Sequence, residues 1–220
     1  MKFRLKDPGS AITHFIGFVL AAAAAAPLVV RADRESGIQN AIVQGIYICS
    51  MILLYAASTL YHSLDIGKNG NRRLKKLDHM MISVLIAGSY TPVCLIALHN
   101  RTGFLLCGGV WLLAVAGMVL KACWVTCPKW VSSVLYIGMG WMAVLAMRPI
   151  FAALPRPAFV WLLAGGILYT AGGVIYALKL PLFNAKHKGF GSHEIFHLFV
   201  MAGSACHFVV MYQYLTGMQM

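Results

Sequence analysis

The sequence predicts an all-α, polytopic membrane protein with seven transmembrane helices in a single domain over residues 1–220. Three observations favour this fold class. Hydrophobic residues make up 60% of the 220 residues and charged residues only 11%, compared with roughly half and a quarter in a soluble domain. Apolar runs of membrane-spanning length recur seven times. The Lys and Arg residues are distributed unevenly between alternate breaks in this pattern.

The seven apolar runs cover residues 11–30, 41–62, 79–98, 103–120, 131–147, 158–178 and 195–216. Each is close to the roughly 20 residues that a helix needs to cross a bilayer. Polar or Pro-containing breaks separate them. Cations precede the first run, as in a signal peptide, but its length and the runs that follow favour a retained first helix. Small residues in the first, fifth and sixth runs allow helix backbones to approach closely.

The Lys and Arg residues predict how the helices are oriented. The N-terminus and the second, fourth and sixth breaks carry 13 of them, whereas the alternate breaks and the C-terminus carry 5. Because cytoplasmic loops are enriched in Lys and Arg, the N-terminus is expected in the cytoplasm and the C-terminus outside the cell membrane. The same asymmetry accounts for the formal charge of +12 without a nucleic-acid partner.

The six cysteines do not predict a disulfide framework. Most of them lie inside apolar runs, where cysteine behaves as a small buried hydrophobe. Cys123 and Cys127 have three residues between them. That is not the two-residue spacing of a zinc knuckle, and no second pair follows.

Several polar residues fall within the predicted spans, where they are costly and mark candidate functional sites. The second run ends with Ser58 and His62, four residues apart and therefore on one helix face. The third helix is expected to open with Asp78, directly before its apolar run, and the seventh with His193 and His197. Because the second helix runs towards the cytoplasm and the other two run away from it, the histidines and Asp78 are expected at one depth, just inside the cytoplasmic face.

This set of side chains predicts a metal site. Three histidines with an open fourth position are typical of catalytic zinc, so His62, His193 and His197 are the candidate ligands of a Zn²⁺ ion. Such an ion activates water. Asp78 is the candidate group to hold or deprotonate that water, and Ser58 the candidate donor to a developing oxyanion.

Each of these residues also has a simpler interpretation. His62 could hydrogen-bond to a lipid head group or a carbonyl, Asp78 could cap its helix, and Ser58 could bond back within its own helix. The start of the seventh run also matches the H-E-x-x-H string of zinc proteases, with Glu194 as general base. Glu194 is equally typical of an acid in the first turn of a helix.

The other histidines are expected to be less important. His14 could support a metal ligand, although a structural hydrogen bond is the simpler expectation. His79 follows Asp78 and is predicted to point about 100° away from it. His207 lies about 15 Å along the helix from His197, too far for the same metal, and is predicted to be a polar packing residue. Solvated positions in loops are expected for His99 and His187.

Six segments spread along the chain carry a family resemblance. They are Ser58-Thr59-Leu60-Tyr61-His62, Lys76-Leu77-Asp78-His79, Ala87-Gly88-Ser89-Tyr90-Thr91-Pro92, Gly138-Met139-Gly140-Trp141, Ser192-His193 through His197, and Cys206-His207-Phe208. These segments resemble the haemolysin III family, the bacterial branch of the progestin and adiponectin receptor superfamily.

The resemblance implies seven helices with a cytoplasmic N-terminus. Similarity to the adiponectin receptors implies that His62, His193 and His197 are zinc ligands, with Asp78 and Ser58 beside the zinc-bound water. The wider superfamily includes alkaline ceramidases, which are similar in the pattern of their zinc site and hydrolyse a lipid amide.

The leading functional prediction is zinc-dependent hydrolysis of a membrane-lipid amide or ester, with a role in membrane-lipid homeostasis. The main alternative is a non-enzymatic membrane sensor in which zinc ties the second and seventh helices together. A pore-forming haemolysin and an intramembrane metalloprotease are lesser alternatives. The sequence specifies neither the substrate nor the oligomeric state.

Overall fold

The computed structural model describes residues 5–178 and 190–220. Within these ranges the chain forms helices and no strand, and seven helices are long and apolar enough to cross a membrane. They are α1 (Pro8–Ser36), α2 (Ile38–Ser63), α3 (Gly67–Leu98), α4 (Arg101–Cys123), α5 (Lys129–Ala153), α6 (Arg156–Leu178) and α7 (Ser192–Leu215). The predicted all-α fold with seven spans is confirmed, and each predicted apolar run falls within one of these helices to within one residue.

Some residues used in the sequence predictions lie outside the described ranges. They are Lys2, Arg4, Lys179, Lys186, His187 and Lys188. The orientation that the cations indicate therefore stays a prediction.

The third helix begins earlier than predicted. It starts at Gly67 rather than near residue 79, because the polar segment before the apolar run is also helical. Lys and Arg are good helix formers and can extend a helix beyond the apolar layer. Asp78 therefore lies in the helix interior, and its interpretation as an N-cap residue is wrong.

Two helices contain irregular turns. In α3, Pro92 lacks an amide hydrogen, and a π-helical turn over Val93–Leu98 follows it. In α5, a 3₁₀ turn over Met142–Ala146 interrupts the α-helix. The hydroxyl of Tyr90 accepts a hydrogen bond from the Ala143 amide at 2.8 Å and so satisfies backbone that the interruption exposes.

The centre of the bundle is formed by α2 and α3. In an 18-residue apolar stretch of each helix, the buried share is 61% in α2 and 56% in α3, but only 17% in α6. At Gly88 on α3, an added Cβ would lie 2.1 Å from Oγ of Ser50 on α2. This approach of the two backbones therefore requires glycine at position 88. The connection from α1 to α2 is short and uses Gly37 with φ of 83°, in the left-handed region that favours glycine.

Three helix termini meet at one end of the bundle. The amide of Asp7, just before α1, donates to the carbonyl of His62 at 2.9 Å. Oγ of Ser10 on α1 donates to Oε1 of Glu194 on α7 at 2.5 Å. The start of α1, the end of α2 and the start of α7 therefore lie together, and we call this the histidine end.

A cation that the topology count assigned to the fourth loop lies instead within a helix. The fourth helix continues to Cys123, so Lys121 is inside it and is only 1% exposed. All six cysteines lie in the described ranges and are free thiols. Nζ of Lys121 lies 3.0 Å from Sγ of one of them, Cys127.

Candidate metal centre

His62 occupies the last turn of α2 and is buried. Its Nδ1 lies 3.0 Å from Oδ2 of Asp7. A carboxylate that accepts from Nδ1–H fixes the orientation of the ring and leaves Nε2 as the atom with a lone pair. The sequence patterns did not single out Asp7, because an acid directly before Pro8 is equally typical of the start of a helix.

Lys6 helps to hold the segment that carries Asp7. Its Nζ donates to the carbonyl oxygen of Tyr61 and lies 3.6 Å from the centroid of the Tyr61 ring. Burial lowers the pKa of the Lys6 ammonium. The segment before α1 is therefore attached to the end of α2 through both Lys6 and Asp7.

His193 and His197 lie on one face at the start of α7, with ring centroids 4.5 Å apart. Nε2 of His193 is 3.3 Å from Nε2 of His62. Nδ1 of His197 is 3.1 Å from Oγ1 of Thr13 on α1. Oγ1 of Thr13 donates to backbone carbonyls of its own helix, so it accepts from His197 Nδ1–H and leaves Nε2 free to bind a metal. Thr13 carried no recognisable signal in the sequence.

The three histidines form a group that could hold a metal ion. One ligand nitrogen from each lies within 4.8 Å of the others. Two nitrogens bound to one tetrahedral zinc at about 2.0–2.1 Å are about 3.3 Å apart, and the Nε2 atoms of His62 and His193 have that separation. Imidazole suits zinc and also copper, iron and nickel. The donor set therefore fits a transition metal.

His14 packs against this group through its ring. Its ring stacks on that of His197, with centroids 3.5 Å apart and planes 10° from parallel. Both of its ring nitrogens are buried without a hydrogen-bond partner among the described residues. The expected structural hydrogen bond is therefore wrong, and His14 supports the ring of His197 by stacking.

Asp78 is buried, and its Oδ2 lies 3.1 Å from Nδ1 of His79. The two residues are predicted to point about 100° apart around the helix, and the structure shows that their side chains nevertheless meet. The hydroxyl of Tyr136 on α5 donates to the carbonyl of His79 at 2.8 Å. The Asp78 carboxylate is not among the ligand atoms that lie within 4.8 Å of one another, so it lies near the cluster without belonging to it.

The hydroxyl of Ser58 is buried one turn before His62. Its Oγ has no hydrogen-bond partner among the described residues. It therefore does not bond back within the helix, unlike its neighbour Thr59, which donates to the carbonyl of Tyr55 at 2.7 Å. An unsatisfied buried hydroxyl requires a physical reason, and a ligand in the adjacent cavity would provide one.

Both carboxylate oxygens of Glu194 accept hydrogen bonds at the start of α1 and of α7. Its Oε2 accepts from the amide of Gly191 at 2.8 Å, and its Oε1 accepts from Ser10. Both oxygens thus serve the start of α7, as expected for an acid in the first helical turn. The carboxylate is occupied in a way that does not suit the general base of a protease.

A predominantly apolar cavity extends from the histidine end into the bundle. Its volume is about 210 Å³, far above the 10–15 Å³ that one water occupies. His193, His197, Asp78 and Ser58 line one part of it. His207 also lines it and contacts the carbonyl of Leu162 through Nε2 at 3.2 Å, which agrees with its predicted role as a polar packing residue.

Comparison with known proteins gives consistent similarities. The Haemolysin-III related family model matches residues 4–208. Hemolysin-3 of Bacillus cereus is 37% identical over 207 residues, which cover 94% of this chain and 90% of that protein. The Hemolysin-3 homolog of Bacillus subtilis (strain 168) is 38% identical over 207 residues, covering 94% and 93%. The Adiponectin receptor protein of Drosophila melanogaster is 27% identical over 221 residues, covering 92% of this chain and 49% of that protein.

Proposed function

The chain belongs to the haemolysin III-related family, and from the site at its histidine end we propose that it is a zinc-dependent hydrolase of membrane-lipid amides or esters. The observation that carries this proposal is the position of three converging imidazoles beside an apolar cavity that also contains Asp78 and Ser58. We propose a role in membrane-lipid homeostasis.

In this proposal His62, His193 and His197 hold the zinc ion. When bound, the ion supplies a Lewis acid and activates water. Asp7 orients His62 through Nδ1, and Thr13 orients His197 in the same way. These two contacts supply the hydrogen bonds that metal-binding histidines make through their other ring nitrogen.

Asp78 and Ser58 act on the substrate and on water. Asp78 accepts a proton from the attacking water and later passes it to the leaving group. His79 contacts Oδ2 of Asp78 and fixes the position of the carboxylate. The unpartnered hydroxyl of Ser58 donates to the carbonyl oxygen as negative charge develops on it.

The cavity favours a lipid as the substrate. Its walls are largely apolar along α3, α5 and α6, which suits an acyl chain and excludes bulk water from the reacting groups. The charge asymmetry of the sequence favours a histidine end at the cytoplasmic face of the cell membrane, with the N-terminus inside and the C-terminus outside.

A second candidate function is that of a membrane sensor in which the metal is structural. It is favoured by the similarity to a protein named as an adiponectin receptor, although the chain spans about half the length of that relative. A metal held by His62 on α2 and by two histidines on α7 would tie these helices together. Asp78 would then not be required for function.

The proposal is tested by incubating purified, zinc-loaded protein with a broad panel of acyl-amide and acyl-ester lipids and following products by mass spectrometry. We expect release of a fatty acid from at least one class of lipid, and loss of that release in a His62→Ala variant. An absence of turnover across the panel would overturn the hydrolase proposal. Leakage from dye-loaded liposomes, measured in parallel, tests the pore that the name Hemolysin-3 suggests, and we expect none above protein-free controls.

A further inference from the structure

Lys121 is a buried cation at the end of a membrane-spanning helix. It is 1% exposed, and its Nζ donates to Oγ of Ser132 on α5. The same Nζ lies 3.0 Å from Sγ of Cys127. Ionisable side chains at such positions are costly to bury and mark functional sites when no structural partner accounts for them.

No carboxylate pairs with Lys121. The six acidic side chains of the chain all lie in the described ranges. Among the residues of those ranges, the ion pairs are Arg31 with Glu35 and two pairs between a histidine and an aspartate. A buried ammonium without an anionic partner is strongly disfavoured, so an anion from outside the chain would stabilise this arrangement.

The hydroxyl groups beside Lys121 face the cavity. Both Ser132 and Ser133 line it. Oγ of Ser133 is buried and has no hydrogen-bond partner among the described residues. Oγ of Ser132 accepts from Lys121 and also lies 3.4 Å from Sγ of Cys127, where either atom can donate. When the thiol donates, the Ser132 hydrogen is available to a ligand, and the neighbouring ammonium makes it a stronger donor.

The two serines line the same cavity as the candidate catalytic groups. They are the fourth and fifth residues of α5. Tyr136 follows Ser132 by one helical turn, about 6 Å along the axis, and contacts the carbonyl of His79. The serines therefore lie on the wall of the cavity that contacts the Asp78–His79 pair.

We propose that Ser132 and Ser133, with Lys121 behind Ser132, form a binding subsite for the phosphate of an anionic lipid headgroup. This rests on the proposed function insofar as the lipid is a substrate, and it then specifies the substrate as an acyl lipid with an anionic headgroup. The two hydroxyls donate to the phosphate oxygens, Lys121 supplies the compensating charge, and the apolar part of the cavity takes the chain.

The test is the binding of dodecyl phosphate and dodecanol, measured by native mass spectrometry of the whole protein in a neutral detergent. Neither ligand has an acyl bond, so the result does not depend on whether the protein is a hydrolase. We expect dodecyl phosphate to bind at least about tenfold more tightly than dodecanol, as a hydrogen-bonded charge would give. Equal binding of the two ligands would overturn the proposal.

Variants locate the binding within the chain. Ser133→Ala, Ser132→Ala and Lys121→Met are each expected to reduce the preference for the phosphate at least about threefold without changing dodecanol binding. The matched control is Ser83→Ala, because Oγ of Ser83 is also buried and unpartnered among the described residues but Ser83 does not line the cavity. If Lys121→Met does not fold, the two serine variants decide the question, and an unchanged preference in both would refute the subsite.

Three further measurements distinguish this subsite from binding at the metal ligands, from a site for free phosphate and from an internal ion pair of Lys121. A chelator should leave the preference intact, and its loss would assign the phosphate to the metal ligands instead. Inorganic phosphate should compete only weakly with dodecyl phosphate, whereas competition at equal concentrations would indicate a site for free phosphate. A Cys127→Ser variant should keep the preference for dodecyl phosphate. The proposal would be wrong if the parent protein showed no such preference and the variant gained one, because the Cys127 thiolate would then already be the anionic partner of Lys121.

Discussion

Oδ2 of Asp7 lies 3.0 Å from Nδ1 of His62, so a carboxylate at the start of α1 orients an imidazole at the end of α2. Loss of such a partner weakens metal binding by about 10–100-fold. We therefore expect Asp7→Ala to reduce zinc affinity within this range, as measured by competition with a fluorescent chelator.

Asp65→Ala is the matched control for this change. Asp65 follows α2 by two residues and is exposed, and within the part of the chain that the structure describes it accepts hydrogen bonds from Asn71 and from the amide of Gly67. Its removal should leave zinc affinity unchanged. Equal affinities in Asp7→Ala and the parent would show that the carboxylate does not act on a metal ligand.

Metal content tests the histidine cluster directly. The parent protein should contain about one zinc per chain, measured by elemental mass spectrometry after purification in detergent. His62→Ala and His197→Ala should each lose it, because the ligand nitrogens of one site come from both α2 and α7. His99→Ala should retain it, since His99 is exposed and contacts the carbonyl of Leu95. Zinc that persists in both well-folded ligand variants would rule out this site.

Asp78→Asn separates a catalytic site from a structural one. The amide has the shape of the carboxylate but cannot accept a proton at neutral pH, so we expect turnover to fall by about 10²–10⁴-fold while zinc content and fold are kept. Asp33→Asn, exposed near the end of α1 that lies away from the histidines, should keep full turnover. A sensor with structural zinc would instead retain its function in Asp78→Asn.

Glu194→Gln distinguishes this mechanism from that of a zinc protease. Oε1 of Glu194 accepts from Ser10 on α1, and Oε2 accepts from the amide of Gly191 just before α7. We expect the variant to lower the melting temperature slightly and to leave lipid turnover within about threefold of the parent, because loss of a hydrogen bond to a charged group costs about 1.5–3 kcal/mol of stability rather than catalysis. A loss of turnover comparable with that of Asp78→Asn would favour Glu194 as the general base.

The sequence predicted the seven spans and the meeting of the three histidines for physical reasons. Hydropathy determines which segments cross a bilayer, and antiparallel neighbours then bring the end of α2 and the start of α7 to one side. Because His193 and His197 are four residues apart, the sequence predicts that they share one face of α7. These inferences required only helix geometry and topology.

The remaining features depend on tertiary contacts that local patterns do not encode. Asp7 and Thr13 are residue types that are common at the start of any helix. The packing of α1 against α2 and α7 brings them to the histidines. The apolar run ends at residue 120, so the sequence predicts a loop position for Lys121. The helix continues to Cys123, and the side chain is buried where it contacts Cys127 and Ser132.

The contact between Gly88 and Ser50 gives a test of the bundle itself. A Cβ at position 88 would lie 2.1 Å from Oγ and 2.5 Å from Cβ of Ser50, so α2 and α3 would have to separate. We expect Gly88→Ala to destabilise the protein by about 1–3 kcal/mol, as overpacking in a core does, and to lower the thermal unfolding midpoint in detergent.

Gly108→Ala, whose added Cβ meets no atom within 4 Å, should be neutral or slightly stabilising because alanine favours the helix. Adding Ser50→Gly to Gly88→Ala should restore part of the loss, and an unchanged midpoint in Gly88→Ala alone would contradict this packing of α2 on α3.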